Sequence, residues 1–332
     1  MTQNRPLLHT SDTDALAVVS HAPCIDGTAA ALVFYACSRM NILPKKIKYI
    51  PARYGHTTDL CAAIGKNFTY MVDFSLPRKE LIDLRNHVAG LVVLDHHATA
   101  QHALKGLDFC HFDMTRSGAQ LALDFAEKHF MCADILEQAY PSLRLLVDYV
   151  ADRDLWQFAL VESELVNSAL STLPILDDAT APEDVFDAWL AYAALPESVS
   201  LGRMIHEGSI IKRNTKKVVA MAHTWAVTGQ LLGRSELVPI VNIIPQYVSE
   251  TLHNLLQETD APYAVGWYFD GTKYTYSLRS RDNFDVSALA KQYGGGGHRT
   301  AAGFTSRDFF VRTFAIEVRE DIKTKRHLGI AS

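Results

Sequence analysis

The feature that most constrains this chain is an apolar run at residues 91–94 that ends abruptly in Asp95, His96 and His97. Four consecutive aliphatic residues are typical of a strand that is buried on both faces of a parallel sheet. The carboxylate and the two imidazoles then follow the carboxyl end of that strand, which is the edge where open α/β sheets bind their ligands. An isolated Asp-His-His could equally be a helix cap followed by two surface histidines.

Two further apolar runs end in the same way. Residues 16–20 lead directly into His21, and residues 70–72 lead into Asp73. Helix-forming segments separate these runs, and alternating strands and helices of this length predict a parallel sheet in an α/β fold. We therefore expect three strand ends to bring acids and imidazoles to one edge of a single sheet.

The chain is long enough for two domains. Its 332 residues are 48% hydrophobic, which allows more than one core. From residue 223 the pattern changes to strand-like runs, one of which is followed by the Asp270-Gly271 turn of a predicted hairpin. We place a first domain with a parallel sheet at residues 1–200, a linker helix at 201–222 and a smaller α/β domain at 223–332.

The net charge and the cysteine content indicate which ligands and which cellular compartment to expect. A formal net charge of −5 argues against a protein that binds long nucleic acid, although short anionic ligands remain possible. Five cysteines without C-x-x-C spacing predict free thiols in a reducing, cytoplasmic compartment. Residues 1–14 do not resemble a signal peptide, and no apolar run approaches the roughly 20 residues of a membrane helix.

The first half of the chain contains a candidate site for divalent cations. Carboxylates mixed with imidazoles favour Mn²⁺, with Mg²⁺ or Co²⁺ as alternatives, and two such ions about 3.5 to 4 Å apart could share one carboxylate, for which Asp73 is the natural choice. Any one of these acids alone is more often a helix cap or a surface charge. The candidates are His21, Asp26, Asp73, Asp95, His96, His97, Asp152 and Asp154.

The second half contains a run of four glycines at residues 294–297, followed by His298 and Arg299. Such a run can be a flexible loop, or it can let the backbone approach an anion and direct several N–H groups at it. Arg279 and Arg281 follow the predicted hairpin strand and could bind the same phosphate, or they could be solvated charges at the end of that strand.

Five motifs in order resemble the DHH phosphoesterase superfamily, in the branch that carries the DHH-associated C-terminal domain. The resemblance spans nearly the whole chain. Its motifs are residues 21–27, Val72-Asp73, Asp95-His96-His97, residues 152–156, and residues 294–298 followed by Ala301-Ala302-Gly303.

This resemblance implies a DHH catalytic domain, a substrate-binding domain and a cleft between them, with metal-dependent hydrolysis of a phosphoester or phosphoanhydride. By the resemblance, Asp73 would bridge two metal ions, and His97 and Asp95 would lie on the substrate side, with His97 touching the phosphate. Asp26, His96 and Asp152 would complete one metal site and His21 would belong to the other. The substrate-binding residues would be Gly295, Gly296, Gly297, His298, Arg279 and Arg299.

The sequence departs from the family at one position. Where the family commonly has the first of two acids in the first motif, this chain has Cys24. A thiolate binds manganese or magnesium poorly, so one metal site is expected to be weaker, to prefer a softer ion or to use water instead. The fourth-motif ligand could be Asp148, Asp152 or Asp154, and we choose Asp152 because the residues after it match the family best.

The leading functional hypothesis is hydrolysis of a small nucleotide by metal-activated water. Short oligoribonucleotides, bisphosphorylated nucleosides, dinucleotides and guanosine alarmones are the substrates considered, without a membrane or long nucleic acid as partner. One alternative is an inorganic pyrophosphatase or exopolyphosphatase. Another is a nucleotide-binding module that lost catalysis with the change at Cys24. A homodimer is left open, because the sequence does not fix the oligomeric state.

Overall fold

The structure is a computed structural model that describes residues 16–54, 60–281 and 284–313. The prediction that residues 1–14 are not a signal peptide lies outside these ranges. The chain divides into two compact units between Ile211 and Lys212. This division falls within a single helix, and the domain limits at residues 200 and 223 stay predictions.

The first unit is built on a parallel sheet, as the sequence predicts. Within the described residues the sheet has five strands in the order β2-β1-β3-β4-β5, and all neighbours are parallel. The strands are β1 (Leu16–His21), β2 (Ile47–Ala52), β3 (Phe68–Val72), β4 (Gly90–Asp95) and β5 (Cys110–Phe112).

Helices cover both faces of this sheet. They are α1 (Ile25–Arg39), α2 (Leu60–Ile64), α3 (Arg78–His87), α4 (Ala98–Leu104), α5 (Gly118–Phe130), α6 (Ala133–Ala139), α7 (Leu143–Asp154), α8 (Ser163–Leu170) and α9 (Pro182–Ala193), followed by α10 (Glu197–Trp225). The central strands alternate between two cores: Val92 and Leu94 pack into one, and Leu91 and Val93 pack into the other. Burial on both faces explains why these strands appear in the sequence as continuous apolar runs.

The strand order places a topological switch point between β1 and β3. The chain leaves β1 toward β2 on one side, then returns to β3 on the other side of β1. The carboxyl ends of parallel strands at such a point frame a crevice where ligands bind. His21 ends β1 and Asp73 follows β3, so both residues lie at this position.

The second unit contains a mixed sheet. Its described strands lie in the order β10-β11-β9-β8-β7-β6-β12, and β7 and β8 are parallel while the other neighbours are antiparallel. The strands are β6 (Val227–Leu231), β7 (Val238–Asn242), β8 (Tyr263–Phe269), β9 (Tyr274–Ser280), β10 (Gly296–His298), β11 (Ala301–Ser306) and β12 (Val311–Thr313). The predicted hairpin is confirmed as β8 and β9, with Gly271 at a φ of 98° in the turn.

Two helices pack on opposite faces of the second sheet. They are α11 (Pro245–Gln257) and α12 (Val286–Gln292). Leu252 of α11 packs with Ala264, whereas Leu289 of α12 packs with Leu278 and Phe304. Across the described ranges, we find no helix with both the length and the apolar character that crossing a membrane requires.

Candidate metal centre

Asp73 is the centre of the candidate site. Its side chain is buried, and its backbone has a φ of 52°, a left-handed conformation that costs a residue with a Cβ of order 1 kcal/mol. The two carboxylate oxygens face different partners: Oδ1 lies 3.2 Å from His96 Nε2, and Oδ2 lies 3.6 Å from His21 Nδ1. Oδ2 has no hydrogen-bond partner within the described residues. One carboxylate therefore adjoins two imidazoles that come from different strand ends.

The first ligand set lies on the β4 side of Asp73. His96 Nε2 is 3.8 Å from Asp26 Oδ2 and 3.5 Å from Asp154 Oδ2. One donor atom from each of these three residues lies within 4.8 Å of the others. Two carboxylates and an imidazole at this separation could hold one divalent cation.

The second ligand set follows β1. Donor atoms of His21, Cys24 and Asp73 lie within 4.8 Å of one another. The His21 ring is held by aromatic neighbours, with its centroid 5.4 Å from Tyr54 and 6.3 Å from a stacked Phe74. This set supplies nitrogen, sulfur and oxygen, so its chemistry differs from that of the first set.

The amino terminus of α5 fixes Asp26. The Gly118 N–H donates to Asp26 Oδ2 at 2.6 Å, and the Ala119 N–H donates to Oδ1 at 3.1 Å. A Cβ at position 118 would lie 2.4 Å from the Asp73 Cβ and 2.9 Å from Asp26 Oδ2, so the close approach requires glycine. The N-cap of this helix is Ser117, whose hydroxyl accepts from the Gln120 N–H as the sequence allows.

Asp95 orients His97. Its Oδ1 accepts from the backbone N–H of His96 at 2.7 Å and lies 2.7 Å from the Nδ1 of His97. Asp95 is fully buried, whereas the His97 side chain is 38% exposed. The structure therefore holds His97 by one ring nitrogen and leaves the other side of the ring toward solvent.

Negative charge accumulates in the first ligand set. Burial, together with the carboxylates of Asp73 and Asp154, raises the pKa of Asp26 well above its usual value. Burial, followed by the neighbouring Asp73, also raises the pKa of Asp154. Burial lowers the pKa of His96, but its hydrogen bond to Asp73 and the nearby carboxylates outweigh this and raise the pKa to about 9. A bound cation would relieve this repulsion between acids.

Asp154, rather than the predicted Asp152, lies beside His96 in this cluster. The Asp152 carboxylate accepts from the Ala159 N–H at 2.8 Å and also from the hydroxyl of Ser163, so it organises the loop after α7. Asp154, two residues later in the same helix, is the acid that reaches His96. Asp148 instead accepts from the side chain of Gln120.

The residues fit a pair of divalent cations. Each of the two sets offers three donors of the types that such ions bind, and the unpartnered Asp73 Oδ2 is a buried acceptor directed at the second set. The identity of the ions is not fixed by this geometry. The assignment of His21, Asp26, Asp73 and His96 as ligands stays a prediction, with Asp154 replacing Asp152.

Two of the four glycines in the run, Gly296 and Gly297, lie in strand β10, and Gly294 and Gly295 precede it. Gly297, at a φ of 140°, pairs with Ala302, and a Cβ there would lie 2.6 Å from the carbonyl oxygen of Ala301. The N–H groups of Gly294 and Gly295 donate back to α12, to the carbonyls of Lys291 and Ala290. Fewer backbone N–H groups are therefore available to an anion than the sequence suggests.

One face of this sheet edge carries two rows of residues that include the predicted Arg279 and His298. Residues in direct register on neighbouring antiparallel strands point to the same face, which puts Arg279, Ala301 and His298 in one row. The adjacent row contains Ser277, Gly303 and Gly296. We call this surface the glycine face and define it by Arg279, Ala301, His298, Gly303 and Gly296.

The predicted arginines have different surroundings. The Arg279 guanidinium donates to the Ser249 hydroxyl at 2.7 Å and to the Leu278 carbonyl at 2.9 Å, which uses only part of its donors. Arg281 instead donates to carbonyls at the end of α11, including that of Thr259 at 2.7 Å. Arg281 is therefore engaged in the structure of the unit, whereas Arg279 lies on the glycine face. Arg299 is exposed.

Two contributors were missed at the sequence level. Gly118 carries no chemical group that marks it in the sequence, and its role follows from its close approach to Asp73 and Asp26. Asp154 was a candidate but was not chosen, because motif similarity was weighed above helical position. Asp152 and Asp154 are two residues apart and point to different sides of α7, but this spacing does not tell which side faces His96.

Comparison with known proteins gives both sequence and structural matches. Residues 237–324 match the DHHA1 domain family. An uncharacterized protein of Acanthamoeba polyphaga mimivirus is 25% identical over 313 residues, which are 86% of this chain and 66% of that protein. The chain therefore spans just under two thirds of the length of this relative.

Two solved structures match nearly the whole length of the chain. The DHH domain of a protein from a family of ribosomal proteins has a TM-score of 0.50 at 13% identity, and the match covers 96% of this chain and 88% of that one. A pGpG-specific phosphodiesterase, PggH from Vibrio cholerae, has a TM-score of 0.48 at 12% identity and covers 95% and 97% of the two chains. The chain therefore matches the DHHA1 domain family at residues 237–324, and its fold is similar to that of a protein with a DHH domain.

Proposed function

We propose that this protein is a divalent-metal-dependent phosphohydrolase that acts on a small nucleotide. The observation that carries the proposal is the buried Asp73 carboxylate, whose two oxygens face two separate sets of ligands. When two divalent ions are bound side by side, they lower the pKa of a water and neutralise charge on a phosphoryl group. A carboxylate shared between two sets is the arrangement that this chemistry needs.

The surrounding residues would hold the centre in place during a reaction. Asp26 is tied to two backbone N–H groups of α5, so its carboxylate cannot rotate away when charge builds up nearby. Asp95 holds His97 through Nδ1, which leaves Nε2 as the ring atom that would contact a phosphoryl oxygen. In this proposal Asp73 and Asp26 position the cations, Asp95 positions His97, and His97 contacts the substrate.

The choice of a nucleotide rests on the second unit and on charge. The second unit matches the DHHA1 domain family. Its glycine face combines small residues with Arg279 and His298, which suits an anion of modest size. The net charge of −5 disfavours a long polyanion held by electrostatics alone. We therefore propose short oligoribonucleotides, bisphosphorylated nucleosides, dinucleotides and guanosine alarmones as the substrate class.

The test is turnover by the purified full chain with Mn²⁺ against a panel of these four compound types. Pyrophosphate and tripolyphosphate belong in the same panel, and Asp73→Asn is the matched inactive control. Metal-dependent release of a nucleotide product that Asp73→Asn abolishes is the expected result. Hydrolysis restricted to the inorganic compounds would replace the nucleotide proposal with a polyphosphatase. Tight nucleotide binding without turnover, with any of Mn²⁺, Mg²⁺ or Co²⁺, would overturn the assignment as an enzyme.

A further inference from the structure

We propose that the two cation positions differ in kind, and that the position bounded by His21, Cys24 and Asp73 is a thiolate site that selects a Zn²⁺-like ion over Mn²⁺ or Mg²⁺. The position bounded by Asp26, His96 and Asp154 would keep the harder ion. This inference rests on the metal centre of the proposed function and is independent of which substrate is cleaved.

The donor atoms of the two sets support this difference. In the second set an imidazole, a sulfur and a carboxylate oxygen come within 4.8 Å of one another. The first set contains an imidazole and two carboxylates. Thiolates favour zinc and related ions, whereas carboxylates suit magnesium and manganese, so these sets should have different preferences.

The position of Cys24 makes its sulfur available. Cys24 is the N-cap residue of α1, yet its side chain makes no capping hydrogen bond to the first turn of that helix. A cysteine binds a divalent cation as the thiolate, so the thiol proton is released when the ion binds. The sulfur thus lies at the start of α1, within 4.8 Å of donor atoms of His21 and Asp73.

A second and independent observation is the orphaned oxygen of Asp73. Asp73 is 1% exposed, and its Oδ2 has no hydrogen-bond partner in the described ranges. A buried carboxylate oxygen of this kind is expensive unless something binds it. This is the oxygen that faces His21, whereas Oδ1 faces His96. The Asp73 oxygen without a hydrogen-bond partner, Oδ2, therefore belongs to the ligand set that contains Cys24.

The other four cysteines provide a contrast. Cys37 and Cys132 lie in the core with their sulfurs 4.0 Å apart. Cys61 and Cys110 belong to neither of the two ligand sets. All five cysteines are free thiols, as predicted, but only Cys24 combines with an imidazole and a carboxylate in those groups.

The experiment uses Co²⁺ as a probe that reports sulfur ligation directly. The full chain is stripped of metal and titrated with Co²⁺, and the near-ultraviolet charge-transfer band between sulfur and cobalt is recorded. The wild-type protein should show this band with one thiolate per chain. Cys24→Ser and Cys24→Asp should lose it, and Cys61→Ser, which changes an exposed cysteine outside the cluster, should keep it.

A competition measurement gives the second readout. Dissociation constants for Zn²⁺ and Mn²⁺ are measured by calorimetry on the wild type and on Cys24→Asp, which restores the acid that the family commonly has. The preference for Zn²⁺ over Mn²⁺ should fall by about tenfold or more in Cys24→Asp. A wild-type protein without the band, or a preference unchanged by Cys24→Asp, would overturn the inference.

These results are separable from those of the proposed function. A sulfur-to-cobalt band in a protein that hydrolyses none of the panel would sustain the metal assignment and remove the hydrolase. Conversely, nucleotide hydrolysis by a protein without the band would sustain the hydrolase and remove the thiolate site. Where a Cys24 variant fails to fold, a wild-type protein without the band still overturns the inference, and a band retained in Cys61→Ser excludes the exposed cysteine as its source.

Discussion

The two candidate regions of this protein are built on opposite principles. At the edge of the first sheet, buried acids are fixed by backbone N–H groups and imidazoles within a few ångströms of one another. On the glycine face of the second sheet, three of the five defining residues are alanine or glycine, and His298 is exposed. The edge of the first sheet therefore concentrates charged groups, whereas the glycine face is formed largely by small residues.

This difference implies different consequences for the reaction. A change in the buried cluster should alter the cations and hence the chemical step, which appears in kcat. A change on the glycine face should alter how the substrate is held, which appears chiefly in KM. The predictions below test that separation, from the largest expected effect to the smallest.

Asp73→Asn should have the largest effect. The change removes the charge of the one carboxylate that both ligand sets adjoin, so both cations should bind weakly. Losing several kcal/mol of transition-state stabilisation corresponds to a fall in kcat of roughly a thousandfold. Steady-state kinetics with Mn²⁺ and metal analysis of the dialysed protein check this. Retention of two tightly bound ions would contradict the bridging role.

Asp154→Asn and Asp152→Asn should have different effects, the first on kcat and the second on the free energy of unfolding. Asp154 adjoins His96, so its loss should weaken one cation and lower kcat by about 100-fold, with little change in the melting temperature. Asp152 holds the loop after α7, so its variant should lose roughly 1 to 3 kcal/mol of unfolding free energy and keep its affinity for metal. Calorimetric metal titrations and thermal melts distinguish the two, and the reverse outcome would restore Asp152 as the ligand.

Gly118→Ala should damage the buried cluster without touching a charged group. The new methyl group would collide with Asp73 and Asp26 and displace both carboxylates. A displacement of about 1 Å at a catalytic group can cost on the order of 100-fold in rate.

The control for Gly118→Ala is Gly202→Ala in the long helix α10. No atom lies within 4 Å of a Cβ at that position. Because alanine is the better helix former, this variant should be fully active and more stable by roughly 0.5 to 1 kcal/mol. Equal kcat values for the two glycine variants would show that α5 does not hold the acids in place.

Arg279→Gln should have the smallest effect on rate. Removing the charged group from the glycine face should raise KM by about tenfold, as expected for one charge-assisted hydrogen bond, with kcat nearly unchanged. Arg281→Gln is the matched control, because its guanidinium binds carbonyls at the end of α11, and it should lower stability without raising KM. A fall in kcat for Arg279→Gln, with KM unchanged, would break the proposed division between the two regions.

The sequence was most informative where charge interrupts an apolar run. The parallel sheet could be predicted, because strands buried on both faces appear in the sequence as continuous apolar runs. The placement of His21, Asp73 and His96 at its edge could be predicted because these polar residues directly follow such runs. The hairpin followed from local turn chemistry.

Other features could not be predicted because they depend on packing between distant segments. The contact of Gly118 with Asp73 joins segments 45 residues apart, and nothing near Gly118 in the sequence indicates it. The choice between Asp152 and Asp154 depends on the direction in which the last turn of α7 presents each side chain. The glycine run was expected to direct N–H groups at an anion, but pairing with β11 and the end of α12 uses several of its backbone groups.

The central claim is that two cations share Asp73, and anomalous diffraction tests it most directly. Crystals soaked in excess Mn²⁺ would be measured at the manganese and zinc absorption edges, so that either ion is counted. The account predicts two peaks about 3.5 to 4 Å apart, one on each side of the Asp73 carboxylate. A single peak, or peaks that do not contact Asp73, would contradict it.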